Sequence, residues 1–321
     1  MKYKKRTFAV LISIVILFFL FRIIDFSDII SGLEKLPFEV ILLSGFFYTL
    51  SYVFRTIRFK TLNKGRISFM EFFPIVCMHN FFVCILPART GELSYVYFLR
   101  KRKIPLEQAI STLIVARVLD ILVMLVIVLL TILFINKELS VTWVEVFFPV
   151  IILISIISVP FLILKLKERF VNVLMKLLLM LNLKKKIINR ITKKTGDSIE
   201  SLKLIKSKGI FIKSIISTFL IIFSQFGFYY LILYGVGIGL SLSKIIGVVI
   251  IAVVMSLIPI QGIVGIGTYE GIWAISLIFA GITKEVAVTT SFVMHIMNIL
   301  FFAILGLLGF LLQLYIKKLR N

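Results

Sequence analysis

Two short stretches of this otherwise apolar sequence carry paired ionisable side chains whose types suit the binding of an anion or an amine. Arg89 and Glu92 lie within Pro-Ala-Arg-Thr-Gly-Glu, and Arg117 and Asp120 lie three residues apart, so they share a face if that stretch is helical. Arginine binds phosphate or carboxylate, and a carboxylate binds an amine or a proton. A purely structural ion pair is the alternative for both stretches, and the sequence leaves it open.

Two further stretches lie towards the C-terminus. A glycine-rich segment contains Gly265 and Gly267 and leads to Glu270. Glycines let backbone N–H groups converge ahead of a helix, which favours an anion site, although a closely packed turn is the alternative. His295 and Asn298 follow, and this histidine is either a hydrogen-bonded core residue or a proton carrier. The predicted substrate-binding residues are Arg89, Glu92, Arg117, Asp120, Gly265, Gly267, Glu270, His295 and Asn298.

No enzyme or metal motif accompanies these residues. The sequence contains no His-Glu-x-x-His, no Gly-x-Ser-x-Gly and no phosphate-binding P-loop. Its two cysteines, Cys77 and Cys84, would lie about 10 Å apart along a helix, too far for a disulfide. We therefore expect no catalytic residue, no metal and no cofactor.

Composition indicates which elements must position these residues. The chain has 321 residues, is 60% hydrophobic and carries a net charge of +22, with a mean hydropathy of +1.10. Soluble proteins are about 45–50% apolar, so a water-soluble fold is excluded. The basic excess alone would suggest nucleic acid, but a chain this apolar fits a membrane better. We predict an all-α polytopic membrane protein that forms a single integral membrane domain over residues 1–321.

Apolar runs predict the membrane segments, since a span takes about 20 apolar residues. Six full transmembrane helices are predicted, at Phe8–Ile24, Phe38–Phe54, Ala109–Ile135, Val146–Leu164, Ile210–Tyr234 and Val286–Ile316. Two runs, Phe69–Pro87 and Ile245–Pro259, each end at a proline before a second short helical stretch, Glu92–Leu99 and Glu270–Gly281. These are predicted to be broken or re-entrant half-helix pairs, giving about eight membrane segments. The first run lacks a signal-peptide cleavage site, so we expect it to be retained.

Basic residues indicate the orientation. Thirty of the 37 Lys and Arg residues fall in five patches, at 2–6, 55–66, 100–103, 165–213 and 317–320. All five lie inside if both termini are cytoplasmic, as expected for a multi-pass protein of the cell membrane. The longest patch is typical of an amphipathic helix on the anionic cytoplasmic leaflet, with a solvated loop as the alternative.

An internal repeat links the two half-helix pairs. A shift of 178 residues aligns Thr90 with Thr268 and Glu92 with Glu270, and gives thirteen identities over residues 90–133. The same shift places Arg117 opposite His295 and Asp120 opposite Asn298. Because the charges flanking the two pairs place them on opposite sides of the bilayer, the repeat is predicted to be inverted, as in transporters. The predicted divisions are residues 1–36, 37–164 (repeat one), 165–209 and 210–321 (repeat two).

Three motifs together resemble the lysylphosphatidylglycerol synthase transmembrane region, a flippase-like family that also forms the N-terminal membrane half of the multiple peptide resistance factor. The motifs are Leu86–Leu93, Ala116–Leu122 and Gly265–Gly271. The resemblance implies movement of an aminoacylated or other polar lipid between leaflets. It also implies that the family's motif positions are occupied by Arg89, Glu92, Arg117, Asp120, Gly267 and Glu270. The chain departs from the family pattern at Ser94-Tyr95, where a basic residue is often found, and at Val264-Gly265, where a glycine doublet is usual.

We therefore expect a lipid flippase-like transporter that works by alternating access on a polar, anionic or aminoacylated lipid. The alternative is a membrane subunit of a lipid-modifying enzyme such as a phosphatidylglycerol lysyltransferase. The 321 residues are taken up by the membrane domain, so that activity would need a separate enzyme as partner. A membrane scaffold whose basic loop docks a partner is a third hypothesis. Expected partners are membrane phospholipids and not nucleic acid, and a homo-oligomer stays open.

Overall fold

The computed structural model describes residue 20 and residues 22–135, 207–256 and 262–320. Every regular element in these ranges is helical. The α-helices are α1 (Phe26–Glu34), α2 (Phe38–Leu62), α3 (Phe69–Ile85), α4 (Leu93–Lys101), α5 (Leu106–Ile135), α6 (Lys208–Gly235), α7 (Leu242–Ser256), α8 (Thr268–Phe279) and α9 (Lys284–Arg320). Two 3-10 turns, Pro87–Glu92 and Ile263–Gly265, precede α4 and α8. Most of the predicted span at 8–24, all of that at 146–164 and most of the basic segment 165–213 lie outside the described residues.

Four of the described helices, α2, α5, α6 and α9, are long and apolar enough to cross a membrane. Each contains a predicted span, so the polytopic helical class and these four spans are confirmed. Two shorter apolar helices, α3 and α7, coincide with the first members of the predicted half-helix pairs. The count of eight membrane segments and the inverted orientation stay predictions.

One helix is longer than the span predicted within it. The helix that contains Phe38–Phe54 continues without a break to Leu62, so Arg55 and Arg58 of the basic patch 55–66 lie on α2 rather than in a loop. Arg58 is completely buried. The helix can continue because Arg58 pairs with Asp120 on α5, which offsets the cost of placing a guanidinium among apolar helices.

The first break follows from proline chemistry. A residue before proline is driven out of the α region, and Leu86 has φ −84° and ψ 134° where α3 ends before Pro87. The turn then runs back against α3 at Gly91. A Cβ at this position would lie 2.1 Å from the carbonyl oxygen of Phe82, so only glycine permits so close an approach.

The second break is a glycine-rich turn with left-handed backbone. Val264, Gly265 and Gly267 have φ values of 59°, 79° and 82°. For glycine this conformation is free of strain, whereas for the β-branched Val264 it is unfavourable. The turn contacts both α3 and the first 3-10 turn, so the two breaks lie side by side.

Close helix packing fixes the position of the breaks. The longest interfaces are between α2 and α6 and between α3 and α9. At the second interface a Cβ on Gly309 would lie 2.7 Å from Cys77 Cβ and 3.0 Å from the carbonyl oxygen of Pro74. Small residues that let helices approach closely are a usual means of association in membranes. The helix before the first break is thereby held against α9.

Candidate functional site

A cavity of about 230 Å³ lies between the two breaks. Its wall takes Arg89 and Glu92 from the first 3-10 turn, Thr268 and Tyr269 from the start of α8, and Arg117 from α5. Further lining residues come from α2, α3, α6, α7 and α9. The cavity therefore draws on both halves of the sequence repeat.

Four ionised side chains form one network beside this cavity. Arg117 donates to Glu92 Oε1, and its other terminal nitrogen lies 3.1 Å from Asp120 Oδ2. Asp120 also accepts from the buried Arg58, which donates in addition to Thr218 Oγ1 at 3.1 Å. The network joins α2, α5, α6 and the first break and contains two cations and two carboxylates. It is therefore electrically balanced without a ligand.

Arg55 is a cavity cation outside this network. It lies on the same face of α2 as Tyr48, Ser51 and Tyr52, all of which line the cavity. Among the described residues it forms no hydrogen bond or ion pair with another side chain, and its buried Nε has no hydrogen-bond partner. Because Arg55 is half-buried in the cavity wall and has no ion-pair partner there, its guanidinium can bind an anion.

Arg89 adds a further positive charge. It lines the cavity from the first break with a left-handed backbone, at φ 54°, which is uncommon outside glycine. The described lining residues thus include three arginines, Arg55, Arg89 and Arg117, and one carboxylate, Glu92. This excess of positive charge in an enclosed space favours a negatively charged ligand.

Glu270 and His295 lie behind the cavity wall. Both are 2% exposed, and His295 Nδ1 lies 2.7 Å from Glu270 Oε1. The second ring nitrogen, Nε2, lies 3.0 Å from the carbonyl oxygen of Val264, and Glu270 Oε2 accepts from the Gly267 N–H at 2.7 Å. The imidazole ring also stacks on Tyr269, with ring centres 4.4 Å apart. The pair thus connects α9 to the start of α8 and touches the cavity through Tyr269.

The two breaks share local structure at the 178-residue offset. Thr90 Oγ1 donates to the Pro87 carbonyl oxygen and Thr268 Oγ1 donates to the Gly265 carbonyl oxygen, in each case three residues back. The second residue after the end of α4 and the second after the end of α8, Lys103 and Gly281, both have positive φ. The aligned residues therefore share these local features, while the repeat itself stays a prediction.

Of the nine predicted site residues, four line the cavity directly: Arg89, Glu92, Arg117 and Asn298. Asn298 accepts from the Tyr48 hydroxyl at 3.0 Å. Asp120 is held behind Arg117, while Glu270 and His295 form the pair behind Tyr269. Gly265 and Gly267 belong to the turn before α8, where the Gly267 N–H already donates to Glu270. An anion bound at this turn would have to use its other backbone N–H groups, and this site stays a prediction.

Sequence reasoning missed Arg55 and Arg58. Both were assigned to a basic loop because they follow an apolar run, although Tyr48, Ser51, Tyr52 and Arg55 recur at helical spacing. That periodicity was the available signal for Arg55. For Arg58 the only hint was that Asp120, within an apolar span, requires a cation in addition to Arg117.

The sequence matches a protein-family model. The family model described as lysylphosphatidylglycerol synthase TM region matches residues 6–306, which is nearly the whole chain. No curated protein matches the sequence closely enough to count as a relative.

Proposed function

We propose a lipid-transport function for this chain, which belongs to the lysylphosphatidylglycerol synthase TM region family. In this proposal the chain is a flippase-like transporter that moves a polar lipid with an anionic phosphate, or a lipid-linked substrate, between the leaflets. The head group occupies the cavity between the breaks while the acyl chains stay in the bilayer. The cell membrane, with both termini in the cytoplasm, is part of the same proposal.

The observation that carries the proposal is the charge of the cavity. Arg117 is paired with Glu92 and Asp120, but Arg55 has no carboxylate within ion-pair distance among the described residues. A phosphate that enters the cavity supplies the missing charge and accepts charge-assisted hydrogen bonds from Arg55 and Arg89. Each such bond contributes about 1.5–3 kcal/mol. Binding of an anion is therefore favoured over binding of a neutral or cationic group.

The size of the cavity supports a head group rather than a whole lipid. Its 230 Å³ is smaller than the sites of about 300–1,000 Å³ that enclose drug-sized molecules. The aromatic residues Tyr48, Tyr229 and Trp273 line it beside the arginines. Such a wall suits a phosphate with a short polar substituent, and the amine of an aminoacylated lipid would lie near Glu92.

The position of the cavity supports alternating access. It lies where the two breaks contact each other, and transporters with inverted repeats bind their substrates between broken helices in this way. Movement of one pair against the other would open the cavity first to one leaflet and then to the other. The inverted orientation is the part of this mechanism that rests on the distribution of basic residues.

Reconstitution tests the proposal. The purified chain is placed in liposomes that contain a fluorescent phosphatidylglycerol, and a membrane-impermeant quencher is added outside. If the chain moves the lipid, the fraction protected in the inner leaflet falls well below that of protein-free liposomes. Matched liposomes with a fluorescent phosphatidylcholine, whose head group is zwitterionic, test the preference for anions. Unchanged protection for every labelled lipid would remove the proposed function.

The family description supports one alternative, since it refers to a synthase of lysylphosphatidylglycerol. In that case the chain would be the membrane subunit of a lipid-modifying enzyme and would present the lipid to a catalytic partner. Formation of lysylphosphatidylglycerol from phosphatidylglycerol and lysyl-tRNA by the chain with a co-purified partner, without lipid movement in liposomes, would favour this alternative.

A further inference from the structure

We propose that Glu270 and His295 form a proton-binding site, and that its loading and unloading couple a proton to the movement of the lipid. The existence of the proton site rests on hydrogen-bond geometry alone. The coupling rests on the proposed transport function. The two parts are therefore tested by different measurements.

The hydrogen bonds of His295 require one shared proton. A carbonyl oxygen can only accept, so the 3.0 Å contact between Nε2 and the Val264 carbonyl oxygen places a hydrogen on Nε2. Nδ1 then either carries a second hydrogen or accepts one from Glu270 Oε1, 2.7 Å away. If neither atom held a hydrogen, two lone pairs would face each other at that distance. The pair therefore holds one proton, either on the imidazole or on the carboxyl group.

The surroundings make loss of this proton costly in the state that the structure describes. Glu270 and His295 are both 2% exposed, and the unloaded pair would carry one uncompensated negative charge. The second carboxylate oxygen already accepts from the Gly267 N–H, and the ring is covered by Tyr269. Unloading thus requires either that the pair opens or that a cation reaches Glu270.

The other helices around the pair bring few charged groups. On α1 the acidic side chains are exposed. On α3 the titratable side chain nearest the cavity is Cys84, and α6 contributes Tyr229. The titratable or charged side chains that share the cavity wall with Tyr269 are Tyr48, Tyr52, Arg55, Cys84, Arg89, Glu92, Arg117 and Tyr229. The arginines of this set are the cations that an anionic head group in the cavity would neutralise, and this change of charge is the proposed link between lipid binding and the pair.

The equivalent pair in the first half cannot do the same. Arg117 and Glu92 are also 25 residues apart and occupy the aligned positions, but arginine keeps its proton at any physiological pH. The first pair is therefore a fixed ion pair, whereas the second can exist in two protonation states. His79 Nε2 lies 3.7 Å from the other oxygen of Glu92, beyond hydrogen-bond distance, so the difference between the halves lies in the base that each carboxylate contacts directly.

The pair is also well placed to change the backbone. Its two bonds to the second break, at Val264 and Gly267, hold a turn in which Val264 has the unfavourable φ of 59°. Separation of Glu270 from His295 would release this turn and the start of α8, which line one side of the cavity. Protonation is thereby linked to the shape of the site.

Magnetic resonance of the histidine ring tests the proton site directly. The chain has only two histidines, so ¹⁵N-histidine labelling gives two sets of ring signals, and the His295→Arg variant identifies that of His295. At neutral pH we expect a protonated Nε2 and one further proton, seen on Nδ1 or, by ¹³C labelling of glutamate, on the Glu270 carboxyl group. In Glu270→Gln the amide donates to Nδ1, so the ring should stay neutral with hydrogen on Nε2. A bare Nδ1 beside an ionised Glu270, or a bare Nε2, would overturn the site.

Liposomes with a pH difference across the membrane test the coupling. With one proton per lipid, labelled phosphatidylglycerol should accumulate in one leaflet by up to about tenfold per unit of pH difference. The His295→Arg variant replaces the titratable ring with a fixed cation, as in the first half. This variant and Glu270→Gln should both lose the dependence of lipid distribution on the pH difference. A wild-type distribution that ignores the pH difference, or a His295→Arg response equal to that of the wild type, would overturn the coupling. Absence of any lipid movement would instead contradict the proposed function. The proton site would then be tested by the magnetic resonance experiment alone.

Discussion

His295 Nδ1 and Glu270 Oε1 lie 2.7 Å apart in a buried pair that repeats, 178 residues later, the pairing of Arg117 with Glu92. In both halves a carboxylate at the start of a broken helix contacts a basic side chain on the next long helix. The first pair lines a cavity with an excess of arginine, and the second lies behind its wall at Tyr269. Their difference, a guanidinium in one pair and an imidazole in the other, is the feature on which the proposed proton coupling rests.

The buried Arg58–Asp120 pair predicts a large loss of stability when one partner is removed. Asp120→Asn leaves Arg58 without its carboxylate in a fully buried position and should lower the free energy of unfolding by about 3–5 kcal/mol. Denaturant unfolding in detergent measures this loss. Glu39→Gln, which removes an exposed carboxylate at the start of α2, is the matched control and should change stability little.

The double variant Arg58→Met, Asp120→Asn separates pairing from packing. Because it removes both charges, it should be more stable than Asp120→Asn alone. If the loss of stability in the double variant equalled the sum of the losses in Arg58→Met and Asp120→Asn, the two side chains would not interact.

The close approach at Gly91 predicts that even one methyl group disrupts the first break. In Gly91→Ala the new Cβ would meet the Phe82 backbone, which cannot move aside, and stability should fall by about 1–3 kcal/mol with loss of lipid binding. Gly239→Ala is the matched control, since no atom lies within 4 Å of its Cβ position. Thermal unfolding of both variants gives the comparison, and equal midpoints would contradict the described turn.

The two cysteines provide a probe of the cavity. Cys84 lines it, whereas Cys77 is fully buried against Gly309. A small anionic, water-soluble thiol reagent should modify Cys84 alone, and a short-chain phosphatidylglycerol should slow the reaction by filling the cavity. Mass spectrometry of the intact chain locates the adduct, and Cys84→Ser should abolish it. Modification of Cys77 in preference to Cys84 would contradict the cavity.

Residues with local signals were predictable from the sequence, and residues that depend on distant partners were not. Pro87 marked the first break because proline restricts the residue before it, and the glycines marked the second. The pairing of Glu92 with Arg117 and of Glu270 with His295 was not evident, although all four residues were predicted to belong to the site. Such pairing depends on how the helices approach, which the sequence spacing alone does not specify.

The error at the end of α2 has a physical reason. Counting basic residues treats any arginine after an apolar run as part of a loop, because an isolated charge in the bilayer is costly. For Arg58 that cost is offset by Asp120, 62 residues away, and for Arg55 by a cavity formed by other helices. In both cases the charge is accommodated by residues that are distant in the sequence and close only in the folded structure.

The central claim is that the unpaired Arg55 binds the anionic head group, and translocation by the Arg55→Gln variant tests it most directly. Labelled phosphatidylglycerol should move about 10- to 100-fold more slowly than with the wild type, as expected for loss of one charge-assisted bond. Arg55→Lys should be intermediate, and Arg66→Gln, which removes the same charge from an exposed position, should match the wild type. Wild-type rates in Arg55→Gln, in liposomes where the wild-type chain moves the lipid, would contradict the account.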